Sequence, residues 1–225
     1  LSIIKSEVKI KKVNLSLDQI SVNQLKILSK SFKPSNLQSF VKNKLIEGRI
    51  DSEIEFYLDK GNTLNNFIAR GQVSDLRIGI SKDLELKETS FAFFADRTDI
   101  LLKNFFGKTE LFSIKEGDLK ADLTSEIKIE SNFLSNINSN EEIKKLQKLL
   151  PHLSFIKNLS NVKAELNNSL ILNFDKTYKL KNFDYKNKGK IINTNFDLND
   201  LNFDYFTNKN LTKLSIFDTD VKTNL

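Results

Sequence analysis

The chain has 225 residues and a formal charge of +6, a normal size for one β-rich domain or two small ones. It contains no Cys and one His, which excludes a disulfide framework and a typical zinc site. Lys supplies nearly all the positive charge, and Arg, the better bidentate ligand of phosphate, is scarce; this argues against a nucleic-acid binder.

The first 50 residues predict one strand and two helices. Apolar and polar residues alternate from Glu7 to Leu17, which indicates a strand with an irregularity near Lys11. We predict a first helix over residues 19–30, capped by Asp18 or Ser21, and a second over residues 35–47. Gly48 is the predicted stop of the second helix.

Period-two alternation begins after Gly48 and predicts a series of strands separated by polar turns. We expect a break in this pattern near Asp75 and a turn at Lys115–Asp118. One regular strand of about 40 Å is expected to follow that turn, from Leu119 to Glu130. Long amphipathic strands in series are typical of a large antiparallel sheet.

A third helix is predicted over residues 140–150, with Asn140 as its cap and Pro151 after its end. The strand pattern then resumes, with predicted turns at Asp175–Lys176 and Lys188–Gly189. The predicted fold is mainly β with a few helices (α+β), a long twisted antiparallel meander curled into an open groove.

Two parts are distinguished by the third helix: residues 1–136, with the first two helices, and residues 137–225, where the meander continues. We interpret them as one continuous elongated unit and expect a segment of a longer protein, because the alternation runs to Leu225. No apolar run approaches the roughly 20 residues of a membrane-spanning helix.

No residue pattern indicates catalysis, so we predict a protein that is not an enzyme. His152 lies beside Pro151 and is interpreted as a loop residue. Glu53 and Glu55 share a strand face, as do Asp122, Glu126 and Glu130, but Lys residues are interleaved with these acids. A solvated outer face explains them better than acid–base chemistry or a cation site.

The feature that needs an explanation is the apolar side of strand after strand. Exposing such a surface to water costs roughly 25 cal/mol per Å². Either a second protein layer covers it, as in a sandwich or a sheet–helix core, or the sheet forms a trough whose apolar side is covered by acyl chains. Composition does not separate these alternatives.

A resemblance to a known family favours the trough. The segment 17–25, the helix-to-strand step at 40–50, the strand 67–73 and the segment 114–119 resemble the AsmA-like superfamily of bacterial envelope proteins, in particular its YhdP type. The spacing of Gly, Leu and Phe carries the resemblance; the Trp and Pro common at the family's helix-to-strand step are missing.

The resemblance implies a lipid carrier without a cofactor. Such proteins are held in the inner membrane of Gram-negative bacteria by a helix, which here would lie outside this segment. They extend through the periplasm, with possible envelope partner proteins, and their β-groove is thought to conduct phospholipids toward the outer membrane. The expected ligand is therefore a phospholipid acyl chain, and nucleic acid is not an expected partner.

Strand parity selects the residues expected to contact lipid, because each has polar neighbours along its strand. The predicted groove floor consists of Ile54, Phe56, Leu58, Phe91, Phe93, Leu119, Leu123, Ile127, Ile129, Leu170, Leu172, Phe174, Phe196 and Leu198. The alternative function is a structural β-scaffold or spacer of a surface or secretion-associated protein, in which the same residues form a dry core without lipid.

Overall fold

The structure is a computed structural model. It describes residues 10–30, 36–59, 63–79, 84–110, 112–124, 126–139, 158–175, 179–198 and 212–224. The helices among them are α1 (Val22–Ser29) and α2 (Asn36–Asn43). The strands are β1 (Lys12–Ser21), β2 (Leu45–Leu58), β3 (Leu64–Gly79), β4 (Glu85–Asp96), β5 (Asp99–Lys108), β6 (Phe112–Asp122), β7 (Ile127–Ser139), β8 (Leu159–Phe174), β9 (Leu180–Asp197) and β10 (Lys213–Asn224).

All ten strands form one sheet whose spatial order is the chain order, β1 to β10. Every neighbouring pair is antiparallel, from β1 with β2 to β9 with β10. The sheet is open, since β1 and β10 each pair with a single strand among the described residues. The predicted mainly-β antiparallel meander is therefore confirmed.

The first helix is capped as the sequence predicts, although it begins later. Ser21 is the N-cap: its hydroxyl accepts from the Gln24 backbone N–H at 3.3 Å, while the Gln24 side chain accepts from the Ser21 N–H at 2.9 Å. Residues 19–21 belong to β1 instead of α1, because Ile20 and Ser21 pair with Ile50 and Arg49 of β2. The predicted helix at 140–150 lies outside the described residues.

The predicted end of the second helix at Gly48 is wrong. The helix ends at Asn43, and β2 begins at Leu45, which pairs with Ile78. Gly48 lies inside β2 with φ of 139°, where a Cβ would come within 2.8 Å of the Leu76 Cα. Gly is therefore required at this position by a bulge and a close approach between two strands.

The single strand predicted from Leu119 to Glu130 is also wrong. The chain reverses there, and β6 pairs with β7 through Ala121–Ile129 and Asp122–Lys128. Alternation continues across the turn because the hairpin returns the apolar residues to the same face, so the turn is hidden in the pattern. The expected turn at 115–118 falls inside β6.

The predicted turn at Lys188–Gly189 is likewise part of a strand, β9. A Cβ on Gly189 would lie 2.0 Å from the Glu165 carbonyl oxygen of β8. Gly71 of β3 is placed in the same way, with a Cβ position 2.0 Å from the Asp51 oxygen of β2. Both glycines permit a close strand approach and do not mark chain reversals.

Strand interiors contain residues in the left-handed region of backbone space, each with φ between 46° and 54°. These residues are Gln19, Asp75, Glu88, Asn104, Asn161 and Asp218. The predicted break near Asp75 is confirmed, because the β3–β4 register shifts between Val73 and Leu76. Such bulges bend a strand and increase its twist, whereas the irregularity expected near Lys11 lies instead between Leu17 and Ile20.

The main core lies where the two helices cover one face of the sheet. Its buried residues are Val22 of α1, Val41 of α2 and Leu45, Val73 and Leu76 of the strands. A smaller cluster, Val162 and Ala164, lies on β8. Both clusters are on the same face, which is the face that concerns function.

Candidate apolar ligand-binding face

Cross-strand pairing assigns side chains to the two faces of the sheet, because directly paired residues point the same way. Leu15 pairs with Ile54, which pairs with Ala69, which pairs with Ala95, and so on across the sheet. We call this side the apolar face. The opposite side, which carries Glu53 and Arg70, is called the charged face.

The register places the predicted floor residues of the strands on the apolar face. Phe56 pairs with Phe67, Gly71 with Phe93, and Ile129 with Leu172. By pairing and strand alternation the set on this face comprises Ile54, Phe56, Leu58, Phe91, Phe93, Leu119, Ile127, Ile129, Leu170, Leu172, Phe174 and Phe196. Leu123 and Leu198 each follow directly after a strand end, in β6 and β9. Whether these residues contact lipid stays a prediction.

Further apolar residues share this face although the sequence-based set omits them. They are Val13, Leu15, Phe67, Ile100, Leu102, Phe133, Ile137, Leu166, Phe183 and Leu214. Alternation could have found Val13 and Leu15, which lie in a regular strand pattern. The bulges concealed others, since each one shifts the alternation by one residue.

The helices cover only part of the apolar face. Phe91 and Phe93 pack against the core beneath α1 and α2, and the Phe91 ring stacks on Phe105 at 5.7 Å between centroids. Toward the sheet edges, apolar residues are open to solvent: Leu15 is 42% exposed and Phe183 55%. Within the described residues, no other helix covers this face.

A polar network interrupts the apolar face in β7 to β9. The Asn168 amide donates to the Ser135 hydroxyl at 2.9 Å and to the Phe133 carbonyl at 3.1 Å. Its oxygen accepts from the Tyr185 hydroxyl at 2.8 Å, and Asn187 donates to that hydroxyl at 3.2 Å. Sequence reasoning missed this network, because the polar residues lie at apolar-face positions of otherwise alternating strands.

The charged face carries ion pairs, most of which join neighbouring strands. Arg70 binds Glu53 at 2.7 Å, and Arg77 binds Glu85 at 2.7 Å, which raises the pKa of Arg77 and lowers that of Glu85. Further pairs are Lys103–Asp118, Lys108–Glu88, Lys115–Glu165, Lys128–Glu130 and Lys190–Asp218. Exposed pairs of this kind contribute little individually to stability.

Most acids considered in the sequence for catalysis or metal binding form ion pairs, and Asp122 accepts hydrogen bonds from Thr124. Glu55 accepts from the Tyr57 hydroxyl at 2.5 Å and from Lys12 at 2.9 Å, and both contacts lower its pKa. Glu126 contacts Lys181, which raises the pKa of that lysine. No group of acids or histidines suited to a metal ion occurs in the described part of the chain, and His152 lies outside it.

Fold and face together define an open antiparallel β-meander with one apolar and one charged side. The chain matches no family model, no curated protein and no solved structure. The resemblance to the AsmA-like superfamily therefore rests on the sequence segments alone. No helix within the described ranges is long and apolar enough to cross a membrane.

Proposed function

We propose that this chain conducts phospholipids along the apolar face of its sheet. It would act as a segment of a periplasmic, inner-membrane-anchored protein that supplies lipid to the outer membrane and so supports its barrier. The observation that carries the proposal is the segregation of the two faces, with the apolar one covered by only two short helices in the described residues.

Partition alone would drive lipid onto this face. Apolar surface removed from water contributes roughly 25 cal/mol per Å², and acyl chains lying across Phe56, Ile129 or Leu172 would remove it. Neighbouring strands are about 4.8 Å apart, so ten strands extend this surface over roughly 45 Å. One row of paired residues is apolar in every strand from Leu15 of β1 to Phe183 of β9, and such a row would let a lipid move without crossing water.

Adjacent residues on opposite faces supply matched positions for a crosslinking experiment. A photoreactive amino acid is placed at Ile129 or Leu172 on the apolar face, and at Lys128 or Asn173, which pair with each other on the charged face. After irradiation with phospholipid vesicles, we expect covalent lipid adducts from the first two positions only. Equal adduct yields from all four positions, or none, would refute the proposal.

A transport assay tests movement as well as contact. Ile127→Asp and Leu123→Asp place a charge at the apolar side of the β6–β7 turn and should block lipid transfer between donor and acceptor vesicles. Lys128→Ala, on the charged face, should leave the transfer rate unchanged. Circular dichroism establishes that the Asp variants keep their strand content, so that a lost transfer rate reports on the surface.

The scaffold alternative predicts a different result from the same purified chain. If other protein layers seal the apolar face, native mass spectrometry and lipid extraction should recover no bound phospholipid. The crosslinking positions would then label protein instead of lipid. The two core clusters fit this alternative locally, but Leu15, Phe183 and Leu214 remain exposed on the apolar face.

A further inference from the structure

The charged face of the last three strands contains a grid of hydrogen-bond donors. Across β8, β9 and β10, one row is Asn167–Lys188–Lys222, as the pairings show. The next row, two residues along each strand, is Ser169–Lys186–Asn224. All six residues line one surface hollow of about 580 Å³.

Two of the three grid lysines make no ion pair within the described part of the chain. Lys186 contacts Asp184 at 3.1 Å, but Lys188 and Lys222 make no ion pair with any described residue. Their nearest carboxylates along the face are Asp220 and Glu165, at diagonal positions; Glu165 is already bound to Lys115 at 3.3 Å. The other acids of the hollow, Glu116 and Asp118, lie on β6.

Two lysines directly opposite each other are an unfavourable arrangement. Like charges in a directly paired cross-strand position destabilise a sheet, and Lys188 also has lysines two residues before and after it along β9. One other lysine pair, Lys87–Lys108, is also directly opposed on this face, but each of these lysines contacts an acid, Glu110 or Glu88. Lys188 and Lys222 have no such acid partner among the described residues, and an anion would remove their repulsion.

We propose that this grid, which we call the donor grid, binds a phosphate group. Two ammonium groups held at the spacing of paired strands can contact different oxygens of one tetrahedral dianion. The amides of Asn167 and Asn224 and the Ser169 hydroxyl supply further donors. The site lies on the face opposite the apolar residues, so it is independent of the proposed lipid path.

Inorganic phosphate is the first probe. Titration into the intact chain, with chloride replaced to keep the ionic strength constant, should give saturable binding by calorimetry and broadening of the phosphorus NMR signal. The double variant Lys188→Gln/Lys222→Gln should bind at least tenfold more weakly. Its melting temperature without phosphate should be equal or higher, because the repulsion is removed, and this result shows that the variant folds.

The matched control removes two lysines that already have acid partners. Lys108→Gln/Lys120→Gln changes the net charge equally but eliminates pairs with Glu88 and Asp99, neither of which lines the hollow. Phosphate affinity in this control should stay within twofold of the unmodified chain. An equal loss in both double variants would show attraction by net charge alone and would overturn the site.

A second arm identifies the source of the phosphate group. Phosphatidylcholine vesicles with and without phosphatidic acid are sedimented with each variant. Lysine-dependent binding to the phosphatidic acid vesicles without saturable binding of inorganic phosphate assigns the site to a lipid headgroup. Binding of inorganic phosphate assigns it to a free or small phosphate compound, and absence of lysine-dependent binding in both arms refutes the proposal.

Discussion

Hairpins β2–β3 and β8–β9 are built alike although they lie far apart in the sheet. Each turn begins with an Asp whose carboxylate accepts the backbone N–H four residues later: Thr63 donates to Asp59 at 3.0 Å and Lys179 to Asp175 at 3.1 Å. The second strand of each hairpin then contains a Gly, Gly71 in β3 or Gly189 in β9, that lies in close contact with the backbone of the first strand. A register irregularity follows within a few residues in both.

The two hairpins differ in what lies on their apolar side. Helices α1 and α2 pack beside β2–β3 and create the larger core, with Leu76 only 3% exposed. On β8–β9 the buried cluster consists of Val162 and Ala164, and Phe183 is 55% exposed. Two hairpins of the same construction therefore have either a buried or an exposed apolar side, depending on whether helices pack on them.

The largest expected effect comes from the covered region. Leu76→Ala should destabilise the chain by about 2–5 kcal/mol, because it leaves a cavity beneath the helices. Leu214→Ala, on the same face but 49% exposed at β10, should cost less than about 1 kcal/mol. Urea unfolding of both variants measures the difference, and equal costs would show that the apolar face is sealed at both ends.

The next effect should be the same in both hairpins. Gly71→Ala and Gly189→Ala each place a methyl group 2.0 Å from a partner carbonyl oxygen, so the strands must separate. We expect a loss of about 1–3 kcal/mol for each variant by urea unfolding. Gly79→Ala is the control, since its nearest neighbouring atom is 3.8 Å away, and unequal losses at 71 and 189 would disprove the structural equivalence.

Smaller effects, in the form of an increased free energy of unfolding, are expected from Gly substitutions at the bulges. Asp75→Gly near the first hairpin and Asp218→Gly near the second remove left-handed strain, with φ of 51° and 46°. Each should raise the free energy of unfolding by up to about 1 kcal/mol. Asp220→Gly, two residues farther along β10, should instead lose about 0.5–1 kcal/mol, because Gly weakens an ordinary strand; chemical denaturation distinguishes the signs.

The smallest effect concerns the turns and depends on pH. The Thr124 hydroxyl, followed by its backbone N–H, donates to Asp122 and lowers the pKa of that carboxyl below the ordinary 3.8. A lowered pKa means that the stabilisation is present above the ordinary value and is lost as the pH falls toward the folded-state value. As the pH is lowered through this range, the melting temperature of Asp122→Asn should therefore decrease less than that of the unmodified chain.

A substitution in the β8–β9 turn tests whether this turn and the β6–β7 turn contribute equally to stability. Asp175→Asn keeps an acceptor for the Lys179 N–H and should alter the melting temperature near neutral pH by no more than Asp122→Asn does. A much larger loss at 175 would indicate that the β8–β9 turn supports the sheet in a way that the β6–β7 turn does not.

The sequence predicts the strands and faces well, because alternation is a local signal. Ile54 and Phe56, for example, follow directly from period two, and the Ser21 cap follows from Gln24 three residues later. The bulge at Asp75 is also predictable, since Val73 and Leu76 cannot otherwise share a face.

The wrong predictions of turns and strand ends come from glycines inside strands and from the β6–β7 hairpin. Gly48, Gly117 and Gly189 each suggest a stop or turn, yet each permits a close approach of a neighbouring strand, which depends on the residues of that strand. The chain reverses after Asp122, but apolar and polar residues continue to alternate through the turn, so the sequence pattern does not reveal the reversal. The network of Asn168 and Tyr185 and the lysine pair of the donor grid require the register, which no local pattern contains.

Within the described residues each strand pairs only with strands next to it in the sequence, so this pairing requires no strand from a distant part of the chain. A nascent polypeptide leaving the ribosome could close each hairpin as soon as its second strand emerges, and the growing edge would accept the following strand. Synthesis order and spatial order would then coincide, so a translational pause after any hairpin would leave a correctly registered partial sheet.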